Sequence, residues 1–412
     1  MRKTSTQKTV ARIGTGLSIV AALLFAVACR AGQELRSLNA GESGNPYGRW
    51  VHGPPSDPAF FPICVWLQDP RNAARYKDAG INVFIGLWNG PTEEQLSALK
   101  AVGMLVIAEQ NAVGLAHRDD RTIIAWMHGD EPDNAQSLGN GKGWGPPIAP
   151  SKIVADYEKQ KKADPSRPVI LNLGQGVAWD GWYGRGVRTN HPEDYAEYIK
   201  GSDIVSFDIY PAVHEKPEVA GNLWFVPKGV DRLRSWSGDA KIVWNCIECS
   251  RIGNTKVKPS PAQVRAEVWM SLIHGSMGII YFVHQFEPKF VEASLLADAE
   301  LLPAVTALNR EIHAVAPALN SPSIKDCVVK SSSPEVPIDC MVKRQGGFTY
   351  VFAASMRDGA ARGSFEIAGL AGNSRAEVLG EGRSVGVEGG RFADDFGPYA
   401  VHLYKISAGE HR

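Results

Sequence analysis

The chain has 412 residues, 44% of them hydrophobic and 21% charged, which is ordinary globular composition at a length suited to one large domain and a smaller one. Lys plus Arg and Asp plus Glu are equal at 44 each. A net charge of zero gives nucleic acid or an anionic membrane no electrostatic hold, so neither is expected as a partner.

Residues 1–28 form a separate segment. Arg2, Lys3, Lys8 and Arg12 make a basic start, an apolar stretch follows, and the segment closes on the small-residue pattern Ala26-Val27-Ala28. This predicts a signal peptide and an exported protein. Its removal takes away four basic residues and no acid. Cys29 directly follows, so a lipid anchor on Cys29 stands beside simple cleavage and release; any membrane association would run through that lipid. No later stretch reaches the ~18 apolar residues needed to span a bilayer, which excludes a polytopic membrane protein. Residues 29–58 read as a leader to the first compact domain.

From about residue 60, eight apolar runs alternate with longer amphipathic ones: 62–68, 81–88, 104–110, 123–129, 168–174, 203–211, 241–248 and 278–286. They are rich in Val, Ile and aromatics and apolar on both faces, as buried parallel strands are. Helices are expected over 91–103, 150–164, 191–201 and 261–275. The first has a capping box in Thr92 and Gln95, with Gly103 as its stop. The sequence thus predicts an α/β (β/α)₈ TIM barrel over 59–318. A doubly wound sheet would need a glycine-rich phosphate turn after the first strand, and "LQDPRN" has none. Past residue 318 the runs become short and alternating with glycine turns, predicting a small all-β sandwich over 319–412 with an accessory structural role.

Five cysteines remain beyond Cys29. Cys327 and Cys340 flank a Ser/Pro-rich stretch between two strand-like runs, and a bridge between them is expected in an exported protein. Cys246-Ile247-Glu248-Cys249 has C-x-x-C spacing but no second pair, so neither a zinc site nor redox chemistry is expected of it.

The active site of such a barrel lies at the carboxyl ends of its strands. Polar residues gather there: Gln68, Asn89, Glu109 with Gln110, His128 to Glu131, Asn172, Asp208 with Tyr210, Glu248, and His284 with Gln285. Two carboxylates stand out, Glu131 after strand 4 in "HGDEPD" and Glu248 ending strand 7. Paired carboxylates are what glycosidic hydrolysis requires, one donating a proton to the leaving oxygen and the other attacking or activating water. Asp130 would raise the pKa of Glu131 if their side chains converged, although neighbours on a strand point to opposite faces. Pro132 would fix the chain's exit and Gly129 would allow a close approach.

Glutamates at these two strand ends resemble a large clan of retaining glycoside hydrolases with (β/α)₈ barrels. "DEP" at 130–132 looks like the clan's Asn-Glu-Pro with Asp for Asn. "DPSRPVIL" (164–171), "DIYP" (208–211) and the C-terminal stretch from "AEVLGEG" onward are similar to recurrent features of the same proteins. The resemblance implies Glu131 as acid/base, Glu248 as nucleophile and Tyr210 as the hydrogen-bonding partner of the nucleophile. It implies a retaining hydrolase of β-glycosidic bonds in an oligo- or polysaccharide, with no cofactor and no metal. Asp130 is the departure: it can accept a hydrogen bond from a sugar hydroxyl but, ionised, cannot donate one. Asp130, Asn172, Asp208, His284 and Gln285 are candidate sugar contacts, as are Trp88, Trp179 and Trp182 through their ring faces. The glycine-rich stretch 137–147 reads as a lid or an insertion.

Two other readings stay open. His128, Asp130, Asp208 and His284 could supply ligands for a metal-dependent hydrolase, although the first strand lacks an H-x-H pattern. The barrel could also bind polysaccharide without cutting it.

Overall fold

The computed structural model describes residues 45–325, 327–370 and 372–407. The expected signal peptide and Cys29 lie outside the described residues.

All eight expected barrel strands form, each shorter than its apolar run. They are β1 (Ile63–Trp66), β2 (Val83–Ile85), β3 (Leu105–Glu109), β4 (Ile123–Met127), β5 (Val169–Leu173), β6 (Ile204–Phe207), β7 in two segments (Ile242–Val243 and Asn245–Glu248) and β8 (Ile279–Phe282). Every pairing is parallel, in the order β7-β6-β5-β4-β3-β2-β1-β8-β7. The ring closes through β7, whose first segment pairs with β6 and whose second pairs with β8. The break falls at Trp244, a wholly buried ring whose Nε1 donates to the Tyr47 hydroxyl at 2.8 Å.

The double-sided burial predicted from the sequence has a simple basis. One face of the strands (Cys64, Ile85, Ile107, Ile170, Ile204, Cys246, Ile280) packs inside the ring. The other (Val65, Phe84, Val106, Val205, Ile247, Tyr281) packs against the helices. Each face is removed from water, so polar residues survive only at the strand ends. The stretch before the first strand is part of this packing rather than a loose leader. Tyr47 is wholly buried, donates to the Met277 carbonyl at 2.8 Å and closes the lower end of the barrel with Trp50.

Helix Glu93–Val102 carries the expected capping box, with Gly103 left-handed at φ 65° where a side chain would be strained. Helices Pro150–Ala163 and Pro261–Ile273 also form. The helix expected over 191–201 is instead three short turns, Pro192–Asp194, Tyr195–Tyr198 and Ile199–Gly201.

Helix Leu301–Leu319 leads into nine antiparallel strands between Ser323 and Ser407. This domain lies against helix Pro261–Ile273, where Trp269 stacks on Phe352 with centroids 5.2 Å apart and Arg265 donates to the Val401 carbonyl at 3.0 Å. That contact explains why the helix is buried without break from Ala266 to Ile273. Cys327 and Cys340 are brought together with their sulfurs 3.1 Å apart, so the partners are those expected. Cys246 faces the barrel interior and Cys249 the helices, because a spacing of three on a strand puts them on opposite faces.

Candidate active site

"HGDEPD" carries the chain out of β4. His128 turns into the protein, its Nε2 2.8 Å from the Gly201 carbonyl, and burial lowers its pKa. Gly129 has open space where a Cβ would lie, so no close approach explains it. Glu131 sits at φ +43°, in a region non-glycine residues seldom occupy. Its N–H donates to the Asn172 carbonyl at 3.2 Å and its carbonyl accepts from Asn134 N–H at 3.1 Å. Pro132 is buried behind this turn. The left-handed turn breaks the strand's alternation, and Asp130 and Glu131 come to line one cleft.

Asn172, at the end of β5, organises the centre. Its Nδ2 donates to Asp130 Oδ1 and to Asp208 Oδ1, both at 2.9 Å. Its Oδ1 accepts from the Ser206 hydroxyl at 2.8 Å, which fixes the orientation of the amide. Tyr210 donates its hydroxyl to Asp208 Oδ2 at 2.8 Å. Carboxyls from β4 and β6 are thus tied together across β5.

Crowding sets their protonation. Burial, then the charges of Asp208, Asp130 and Asp133, hold the Glu131 carboxyl well above the ordinary range. Asp130 is raised to about 7, by desolvation first and by Asp208 next, although part of its surface still meets solvent. Burial also raises Asp208, but hydrogen bonds from Asn172, Cys246 and Tyr210 favour its charged form. The group most disposed to keep a proton is Glu131, and the one best equipped to stay charged is Asp208.

Glu248 finds its hydrogen-bond partners elsewhere. It is wholly buried, and its two oxygens accept from the N–H groups of Ala212 at 2.6 Å and Val213 at 2.9 Å in the segment leaving β6. Its titrating neighbour is Glu267 of helix Pro261–Ile273, also wholly buried. As two carboxylates these groups have no donor between them, and both Glu267 oxygens would lack a partner. Burial keeps the Glu267 proton in place, and with it Glu267 donates to Glu248. The hydroxyl of Tyr210 thus goes to Asp208 rather than to Glu248 as expected, and the partners of Glu248 lie in the segment after β6 and on helix Pro261–Ile273. A buried carboxylate takes the orientation that supplies donors, and here those donors are backbone and helix.

The remaining candidates fall into two groups. Trp182 lines the cleft with Asp130 and Glu131 and donates from Nε1 to Asn134 Oδ1 at 2.8 Å. Trp179 lies behind it, tilted against Trp182 at 6.1 Å and packed on the helix-side core. Trp88, His284 and Gln285 stand elsewhere on the rim. Trp88 stacks on His284 at 5.8 Å, His284 Nε2 lies 2.8 Å from the Leu67 carbonyl, and Gln285 pairs with Val291 through the backbone.

The cleft has a volume of about 570 Å³. Its walls include Tyr183, which the sequence offered beside Trp179 and Trp182, and Gln136, Ser137 and Trp144, which were not singled out individually. The glycine-rich stretch forms a small hairpin, Ser137 paired with Trp144, which sets the 73%-exposed Trp144 at the cleft. Asn134 and Asp133 were also missed. Asn134 hydrogen-bonds Glu131, and buried Asp133 accepts from Gly174 N–H at 2.9 Å and the Tyr195 hydroxyl at 2.8 Å. Their only sequence signal was proximity to Glu131. Among the described residues no group of three or more His, Cys, Asp or Glu is arranged to hold a metal ion.

Neither a family model nor a curated protein matches the sequence. Solved structures do match in three dimensions. The fold is shared with glycoside hydrolases. An AmyP variant in complex with maltotriose has a TM-score of 0.52 at 9% identity, over 85% of this chain and 97% of that one. α-Galactosidase I from Mortierella vinacea has a TM-score of 0.51 at 12% identity, over 85% and 98%. The α-amylase from Geobacillus thermoleovorans, complexed with acarbose, has 0.50 at 10% identity, over 85% and 98%. These likenesses extend through the barrel and the β-domain together.

Proposed function

We propose that the protein is an exported glycoside hydrolase acting on an oligo- or polysaccharide, with Glu131 as acid/base and Asp208 as nucleophile. The observation that carries this reading is the bridge from Asn172 to Asp130 and Asp208, beside a Glu131 held protonated. Hydrolysis needs one carboxyl that gives a proton to the leaving oxygen and one that bears negative charge at the anomeric carbon. Glu131 meets the first need. Asp208 meets the second and already has the tyrosine contact expected of a nucleophile. Asp208 attacks, the C–O bond breaks and Glu131 protonates the leaving oxygen; water activated by the Glu131 carboxylate then releases the sugar with retained configuration. The shared fold of carbohydrate-cleaving enzymes supports the substrate class. α-Acting names occur among those enzymes, so the β-anomer expected from the sequence is to be assayed beside the α.

The test is a panel of paired α- and β-p-nitrophenyl glycosides, followed by proton NMR of the first-formed product. Hydrolysis with retention is expected. Inversion would remove the double displacement, and absence of turnover on aryl glycosides and polysaccharides alike would favour the non-catalytic binding barrel.

A further inference from the structure

Across the rim from the acid cluster lies a second aromatic surface. Trp88 follows β2, and Phe286 and Phe290 follow β8; they are 41%, 48% and 52% exposed. Their rings are in mutual contact. Trp88 meets Phe290 edge-on at 6.5 Å, and Phe290 is tilted against Phe286 at 5.8 Å. His284 supports them from beneath, stacked on Trp88 and buried. The surface is also held in place: Trp88 Nε1 donates to Glu292 Oε1 at 2.6 Å, and the same oxygen accepts from Asp69 N–H at 2.7 Å. Backbone hydrogen bonds in both directions between Gln285 and Val291 close the turn bearing Phe286 and Phe290.

Exposed rings of this size are costly to leave in water unless something covers them. Their position says what does. In the ring β8 is opposite β4, and β1, between β8 and β2, is opposite β5. The platform therefore faces Trp144, Trp182 and Tyr183, which line the cleft on the loops after β4 and β5. Eight strands about 4.8 Å apart and tilted about 36° make a ring roughly 15 Å across, a span of several sugar units. Ring faces for sugar CH groups, with a fixed carboxylate beside them for hydroxyls, suit a saccharide better than a purely apolar partner.

We propose that Trp88, Phe286 and Phe290 form a binding platform for a polysaccharide chain that crosses the barrel mouth, one stretch on this platform and another in the cleft beside Glu131. The proposal rests on the carbohydrate reading above and is separable from it by experiment. Native gels containing soluble starch, xylan, arabinan or galactomannan measure retardation of the full chain without turnover. At least one polysaccharide is expected to retard the wild type and Glu131→Gln alike. Trp88→Ala and Phe290→Ala should each weaken that retardation, and together raise the apparent dissociation constant by roughly tenfold. Phe290 is exposed enough for its variant to fold, checked by an unchanged thermal midpoint. Retardation of the double variant equal to wild type would overturn the proposal, as would no retardation of the wild type by any of the four. Wild-type dimers lost in Phe290→Ala, with no retardation by polysaccharide, would assign the surface to self-association instead. If Glu131→Gln still hydrolysed substrate while the platform variants lost retardation, the assignment of the acid would fail and the platform would stand.

Discussion

Asp130 is the residue at which the sequence departs from the pattern it resembles, and the structure gives the departure a consequence. Its charge is one of three that keep the proton on Glu131. Asp130→Asn removes that charge and keeps an acceptor toward Asn172. The Glu131 pKa should fall, and the alkaline limb of kcat/KM against pH should move to lower pH. An unmoved limb would mean that Asp130 does not act on the acid. The place of Glu131 at the exit of β4 was legible from the sequence, because an acid leaving a buried strand beside Pro is conspicuous. The nucleophile proposed above, Asp208, was not. Glu248 and Asp208 both end apolar strands, and only the direction of neighbouring donors separates them. Two backbone N–H groups turn Glu248 inward, whereas Tyr210 and Asn172 hold Asp208 at the cluster.

At the level of elements, strands and most helices were readable because burial on both faces leaves an unbroken apolar run. The break of β7 at Trp244 and the turns replacing a helix over 191–201 were not, since each depends on contacts distant in sequence. One such contact joins β7 to helix Pro261–Ile273 through Glu248 and Glu267. Burial raises the Glu248 carboxyl to about 7, above its ordinary ~4.3. The folded state therefore prefers the protonated form. The stabilising contribution is fully present below ~4.3 and is lost as pH rises through about 7. Glu267→Gln supplies a permanent amide donor to Glu248. Burial also holds the Glu267 carboxyl well above its ordinary range, so wild type must take up that proton on folding above ~4.3, a cost the variant lacks; relative to wild type it should gain on the order of 1 kcal/mol at pH 8 and nothing at pH 4. Thermal midpoints across this range measure it, and parallel curves for the two proteins would refute a shared proton.

Over the whole molecule, the barrel and the β-domain were legible as a change from long to short periods, but their junction was not. His274, after helix Pro261–Ile273, lies 2.9 Å from Asp231 of the barrel and 3.2 Å from Asp339 of the β-domain. Burial alone would lower its pKa; the two carboxylates outweigh this and raise it to about 9. The charged clamp is fully formed below the ordinary ~6.5 and is lost as pH rises through about 9. Asp231 and Asp339 are about half exposed, so screening leaves the clamp roughly 1 kcal/mol. Raising the pH from 7 to 9.5 should lower the wild-type thermal midpoint more than that of His274→Gln, and equal losses would contradict the clamp. We propose that carboxyls at the ends of β4 and β6 do the chemistry while Glu248 holds the frame. It is tested most directly by turnover of Glu131→Gln, Asp208→Asn and Glu248→Gln on one substrate, each checked for its thermal midpoint. Losses of about a thousandfold or more are expected in the first two with the fold intact. Glu248→Gln should show a lower midpoint with turnover largely kept. A Glu248→Gln protein as stable as wild type and as inactive as Glu131→Gln would contradict it.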